Sequence, residues 1–151
     1  MSFLAKMSLG SNTYTVLNLD YEIYQPIDNR NQPSAAPKGG TLNVVVESSN
    51  QNELLEWMIS HTMQKSGSII FTKRDTNASM KTITFKDAFC IKYREVYNAD
   101  GQSPMQIFLT ISARELDINS YKLTNKWPGA ENQGQADNSQ DEQITSFYPS
   151  D

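Results

Sequence analysis

Leu17-Asn18-Leu19-Asp20-Tyr21-Glu22-Ile23-Tyr24 sets Leu17, Leu19, Tyr21 and Ile23 against Asn18, Asp20, Glu22 and Tyr24. A period of two puts alternate side chains on opposite faces of a strand, so this stretch predicts a sheet with one dry and one wet face. The same period continues outward in both directions. Upstream, Phe3, Ala5, Met7 and Leu9 share a face, and Gly10-Ser11-Asn12 supplies the turn chemistry of a hairpin. Downstream come Leu42, Val44 and Val46, then Ile69 and Phe71, then Ile83, Phe85, Phe89, Ile91 and Tyr93, and last Met105, Ile107, Leu109, Ile111 and Ala113. Asp87 interrupts the fifth apolar run and predicts a bulge or bend there. After Ala113 the phase flips, with Leu116 and Ile118 facing away from Ile111, as in a strand that leaves one sheet for another or reaches past the edge of its core.

One segment breaks the β pattern. Asn50 and Glu53 are spaced as a capping pair ahead of Leu54, Leu55, Trp57, Met58, Ile59 and Met63, an apolar stripe that predicts an amphipathic helix over about 51–65, closed by Gly67. Leu54, Trp57 and Met58 form its core face and must cover a sheet face or an open barrel end. The expected class is mainly β and antiparallel, with one amphipathic α-helix.

Two stretches stand apart. Residues 25–40 carry Pro26, Pro33, Pro37, Gly39 and Gly40 with Asp28, Asn29, Arg30 and Asn31, too long for a tight turn and hostile to a sheet ladder. Residues 129–146 are rich in Gln, Asn, Gly, Asp and Glu, with Ile144 the one large apolar side chain, so 129–151 reads as a flexible polar and acidic tail behind a domain at 1–128.

The chain has 151 residues, with 38% hydrophobic and 10% aromatic, enough for one domain with a true core. Thirteen Lys and Arg stand against 17 Asp and Glu, a net charge of −4. A phosphate-backbone binder wants the opposite surplus, which argues against nucleic acid. The acidity is uneven: 119–151 holds five acids and two bases, whereas 1–118 holds 12 and 11. No window approaches 18 uninterrupted apolar residues, so no membrane insertion is expected, and the start lacks a basic segment followed by an apolar run. The expectation is synthesis in the cytoplasm, with export open only to a machine that ignores signal peptides.

Chemistry is sparse. Cys90 and His61 are the single cysteine and histidine; a nucleophilic pair would need them to meet in a cleft, and a buried Cys with a helix-surface His is the simpler reading. Glu115 and Asp117 are neighbours on one strand, whereas glycosidase carboxylates oppose each other across a cleft. Lys73-Arg74-Asp75 and Lys92-Tyr93-Arg94 suit surface or interfacial ion pairs. No phosphate loop, serine elbow, zinc-protease or calcium motif occurs, so no catalytic, metal or cofactor residues are assigned. Trp57 with Met58, Met63, Met80 and Met105 also fits a ligand cavity, leaving a monomeric ligand-binding barrel and a secreted effector as the other readings.

Ser2-Phe3-Leu4-Ala5-Lys6, Pro33-Ser34 with Pro37-Lys38-Gly39-Gly40, Val46-Glu47-Ser48, Glu56-Trp57-Met58, Phe71-Thr72-Lys73-Arg74-Asp75, Phe85-Lys86-Asp87-Ala88, Pro104-Met105, Ser112-Ala113-Arg114-Glu115 and Trp127-Pro128 occur in that order. Together they resemble the Bacteroidetes branch of the type VI secretion tube protein family, Hcp or TssD, from residue 1 to about 128. The resemblance implies a small antiparallel β-barrel of two sheets flanked by the helix. It also implies hexameric rings stacked into a hollow tube that is driven by a contractile sheath, meets spike and baseplate proteins and carries effectors in its lumen. Residues 25–40, with Pro26, Asp28, Arg30, Pro33, Pro37, Lys38, Gly39 and Gly40, suit the ring-stacking contact, because their prolines lower the ordering cost of docking. Residues 129–151 fall outside the resemblance.

Overall fold

β1 (Phe3–Leu9) turns at Gly10 and Ser11 into β2 (Asn12–Tyr21), with Gly10 at φ +61, a left-handed conformation that glycine adopts without strain. The structure, a computed structural model, describes residues 2–128. The expected tail at 129–151 lies outside the described residues. Five strands and a helix come next: β3 (Thr41–Glu47), α1 (Glu53–Ile59), β4 (Lys65–Lys73), β5 (Ser79–Val96), β6 (Gln106–Ile118) and β7 (Tyr121–Thr124).

Every pairing is antiparallel, and β3 also pairs with β6, so β1, β2, β3, β6, β5 and β4 close into a six-stranded barrel, with β7 added beside β6. The two sheets that the family resemblance implies are joined here in one continuous ladder. Its interior is packed with Met7, Leu9, Leu42, Val44, Val46, Ile69, Ile83, Phe85, Ile111 and Leu116, all fully buried. Each such side chain contributes about 1.5–3 kcal/mol of transfer free energy.

Bulges set the phase of the strands. In β2 a register shift between Val16 and Asn18 turns the buried set from Tyr14 and Val16 to Leu19 and Tyr21, and leaves Leu17 exposed. The expected break at Asp87 is present: Lys86 and Asp87 together face Ser66 of β4, and Asp87 takes φ +52. Opposite it, Arg114 and Glu115 separate buried Ala113 from buried Leu116, which is the phase flip read in the sequence. β6 runs beside β3 as far as Ser112 and beside β7 from Glu115 onward.

The helix is shorter than the apolar stripe suggests. It ends at Ile59, Ser60 is extended, and His61 sits in the next turn rather than on the helix. Gly67 does not stop a helix; it lies inside β4, where a Cβ would come 2.5 Å from the Ser8 carbonyl oxygen and 2.8 Å from the Phe85 ring. Pairing of Lys65 and Gly67 with β5 recruits these residues into the sheet, overriding their helical spacing. The Asn50 and Glu53 cap is also absent. Asn52 is the N-cap without a side-chain bond, and Glu53 turns to the barrel instead, accepting from the Tyr14 hydroxyl at 2.7 Å and the Asn12 amide at 2.8 Å. Leu54 and Trp57 are buried and Met58 is half-buried. The Trp57 indole N–H donates to the Ala88 carbonyl at 3.1 Å, and its ring stacks on Phe85. These contacts hold α1 over the barrel end where β1 turns into β2.

Candidate assembly surfaces

At the opposite end, residues 25–40 form an arm between β2 and β3. Tyr24 and Lys38 exchange two backbone hydrogen bonds, Ser34 N–H donates to the Pro26 carbonyl, and Asp28 N–H donates to the Gln32 carbonyl. The Asp28 carboxylate accepts from the N–H groups of Arg30 and Gln32, and Asn31 turns the tip at φ +66. The prolines remove donors, so only two isolated bridges, Tyr24 with Lys38 and Ile27 with Pro33, replace a ladder. The arm presents Ile23, Tyr24 and Ile27 to solvent, Ile27 at 58% exposure. Such apolar residues on a projecting arm suit burial against another surface.

The root of the arm is clamped. The Asn125 amide donates to the carbonyls of Gly39 and Ala113, both at 3.0 Å, while Ala113 N–H donates to the Gly40 carbonyl. Gly40 has φ +108, and a Cβ there would meet Asn125 and the Ala113 carbonyl; one at Gly39 would meet Leu123. The pair read as loop punctuation is thus required by close approach. Beside this root a groove of about 350 Å³ is lined by Asp20, Tyr21, Glu22, Tyr24 and Lys38. Asn125 escaped the sequence reading, because its partners lie 86 and 12 residues away and no local pattern marks it.

The second surface is the wet face of β2, β3, β6 and β5. Asp20, Asn43, Thr110 and Lys92 form a row across these strands, and Asn18, Val45, Phe108 and Arg94 form the next. Within the first row the Asn43 amide donates to Asp20 at 2.9 Å and the Thr110 hydroxyl donates to the Asn43 amide oxygen at 3.0 Å. In the second the Arg94 guanidinium lies 5.1 Å over the Phe108 ring.

Both lateral edges of this four-stranded unit are open among the described residues. β2 pairs with β1 only as far as Val16, leaving 17–21 bonded to β3 alone. β5 pairs with β4 only as far as Ala88, leaving 89–96 bonded to β6 alone. The β2 edge carries Asp20, with Glu22 just past the strand; the β5 edge carries Lys92 and Arg94 together with Glu95, which accepts from the Ser48 hydroxyl.

The groups weighed for catalysis are placed elsewhere. Cys90 is buried in the core, and burial pushes its thiol up to about 11, the reverse of what an activated thiolate needs. His61 is exposed. Glu115 lies between Lys86 at 3.9 Å and Lys122 at 3.8 Å, and Asp117 accepts from Ser120 N–H at the β6–β7 turn. Lys73 and Arg74 enter the β4–β5 turn. The interior that a ligand-binding barrel would keep open is filled by the Trp57 and Phe85 stack.

The family model described as TssD, hemolysin coregulated protein Hcp, matches residues 1–128. The chain belongs to the TssD family. Hcp1 from Flavobacterium johnsoniae is 34% identical, with a TM-score of 0.76 over 81% of this chain and 99% of that one. Hcp1 from Salmonella typhimurium (12% identity, TM-score 0.65, 82% and 93% covered) and the secreted protein Hcp3 from Pseudomonas aeruginosa (8%, 0.56, 83% and 99%) share the fold. No curated protein matches. As a member of TssD, this protein is a tube subunit of a type VI secretion system. The barrel, helix and arm all lie within the matched residues, and 129–151 lies beyond them.

Proposed function

We propose that this TssD protein closes into hexameric rings by joining the β5 edge of one protomer to the β2 edge of the next, and that the rings stack through the arm at 25–40. The observation that carries this reading is the opposite charge of two open edges on one four-stranded unit. β2 and β5 also run in opposite directions, so a neighbour related by rotation about an axis along the strands meets its partner antiparallel, the pairing that the rest of the barrel uses. Such closure covers two strand edges that would otherwise invite aggregation.

In that ring both rows line the channel, Asp20, Asn43, Thr110 and Lys92 in one and Asn18, Val45, Phe108 and Arg94 in the other, a mainly polar wall suited to passing effector cargo. Ile23, Tyr24 and Ile27 of the arm, set by Pro26, Asp28, Arg30, Pro33, Pro37 and Lys38 and rooted at Gly39 and Gly40, dock on the next ring. Sheath, spike and baseplate proteins are the further partners, and the tube leaves the cell with its cargo. On this reading the subunit works by assembly alone, without catalysis, nucleic acid or membrane insertion.

Sedimentation velocity tests the reading. The full chain is expected at ring mass and, at higher concentration, as stacks. Removal of 26–38 is expected to abolish stacks and keep rings; stacks that persist would show that the arm is not the stacking contact. Full chain that remains a monomer throughout would overturn the ring.

A further inference from the structure

The wet face has one corner whose charge is unmatched within the protomer. Lys92 and Arg94 are exposed, and among the described residues no carboxylate lies within ion-pair distance of either. Glu95, their neighbour, is turned away and accepts from the Ser48 hydroxyl at 2.8 Å. A shallow cleft of about 130 Å³ opens beside the two cations, lined by Asn43, Val45, Phe108 and Thr110.

The end of the described chain points at this corner. Trp127 packs on Phe89 at 5.6 Å between ring centroids. Phe89 lies opposite Ser112 and Lys92 lies opposite Thr110, two residues apart on β6, so Phe89 and Lys92 share the wet face. The chain therefore passes residue 128 on that face, roughly 10 Å along β5 from Lys92. The remaining 23 residues are complementary in charge: 129–151 contains Glu131, Asp137, Asp141, Glu142 and Asp151 and no base. At up to roughly 3.3 Å per residue, three residues are long enough to span that distance, so each acid from Glu131 onward is within reach of Lys92. The tether holds these acids at an effective concentration on the order of millimolar.

We propose that the acidic segment 129–151 docks on the Lys92 and Arg94 corner of its own sheet. Its functional consequence rests on the ring reading: the neighbour's Asp20 and Glu22 claim the same two cations, so the docked segment and ring closure compete for Lys92 and Arg94. The segment lies beyond the family match, so this docking belongs to this chain rather than to the matched domain.

Zero-length carbodiimide coupling of the full chain tests the docking, read by peptide mass spectrometry on the monomer fraction, where no neighbour's Asp20 or Glu22 is near. Amide links between Lys92 and carboxylates of 129–151 are expected at low salt and lost near 1 M salt, where screening shortens to about 3 Å. Carboxylates of 129–151 that couple to other lysines while Lys92 stays uncoupled would overturn the proposal. As a second readout, the full chain with Lys92→Gln and Arg94→Gln should be cut at Glu142 by a glutamate-specific protease about fivefold faster than the parent, the loss of two surface pairs. An unchanged rate would contradict docking. Coupling at Lys92 in a protein that never forms rings would leave the docking standing and remove the competition with ring closure. Rings without coupling would remove the docking and leave the ring reading standing.

Discussion

Arg114 grips Asp87 where β5 and β6 change phase together: Nη2 and Nε of the guanidinium both donate to Oδ2, at 2.6 and 2.8 Å. The pair sits between Phe85 and Ala88 on one strand and between Ala113 and Leu116 on the other, each pair buried, so it fixes a corner that moves two strands from one side of the barrel to the other. Because Asp87 also holds φ +52, removal of its side chain without freeing the backbone is the worst case. Arg114→Ala should cost about 1–2 kcal/mol, a charge-assisted bond discounted for partial exposure. Asp87→Ala should cost more than Asp87→Gly, since glycine recovers roughly 1 kcal/mol of left-handed strain. Urea midpoints of the three variants check the order; equal midpoints for Ala and Gly would show that the backbone there is unstrained.

Glu53 ties the helix to β2 and sets two pH limits. Burial works against its charge, but the bonds from Asn12 and Tyr14 and the nearby Lys65 ammonium together hold its carboxyl below the ordinary value of 4.5. Between the folded and unfolded values the unfolded chain binds more protons, so this stability is full above about pH 4.5 and is lost as pH falls through the folded value. Tyr14 is the mirror case: burial first, then the Glu53 carboxylate, hold its phenol above the ordinary 10.0. Its contribution is full below pH 10 and fades as pH rises toward the folded value. Thermal unfolding against pH should therefore lose acid slope in Glu53→Gln and alkaline slope in Tyr14→Phe. Slopes that match the parent at both ends would show that the pair does not couple to folding.

The two glycines that meet close neighbours should fail differently. Gly67→Ala drives a Cβ into the Ser8 carbonyl and the Phe85 ring, so the barrel itself should lose about 1–3 kcal/mol. Gly40→Ala adds left-handed strain and a collision with Asn125 at the arm root, about 1–3 kcal/mol that local release can relieve. Hydrogen exchange should speed up throughout the barrel in the first variant and chiefly at 24–40 in the second. Uniform acceleration in both would place the arm in the same cooperative unit as the core.

The barrel was legible in the sequence to the extent that each strand reports its own burial by alternation. Asp87 and the flip after Ala113 were readable because a phase break leaves a mark in the pattern itself. The helix end was not: Met63 keeps the helical spacing, but 65–67 are claimed by pairing with residues 85–88, a contact some 20 residues away. Gly67, Asn125 and Glu53 were misread or missed for the same reason, their roles being set by distant partners. The arm was legible as a long proline-rich insertion, but the clamp at its root was not. The charges of Lys92 and Arg94 were visible, whereas their place on an edge across from Asp20 and Glu22 depends on β3 pairing with β6, about 65 residues apart in the chain.

Ring closure rests on the oppositely charged edges of β2 and β5. Negative-stain imaging of two charge-reversed forms tests it most directly: Asp20→Lys with Glu22→Lys makes both edges basic, and Lys92→Glu with Arg94→Glu makes both acidic. Each form alone is expected to yield no rings, and an equimolar mixture is expected to restore six-membered rings of alternating subunits. Rings in either form by itself, or a mixture that stays dissociated while the parent forms rings, would contradict it.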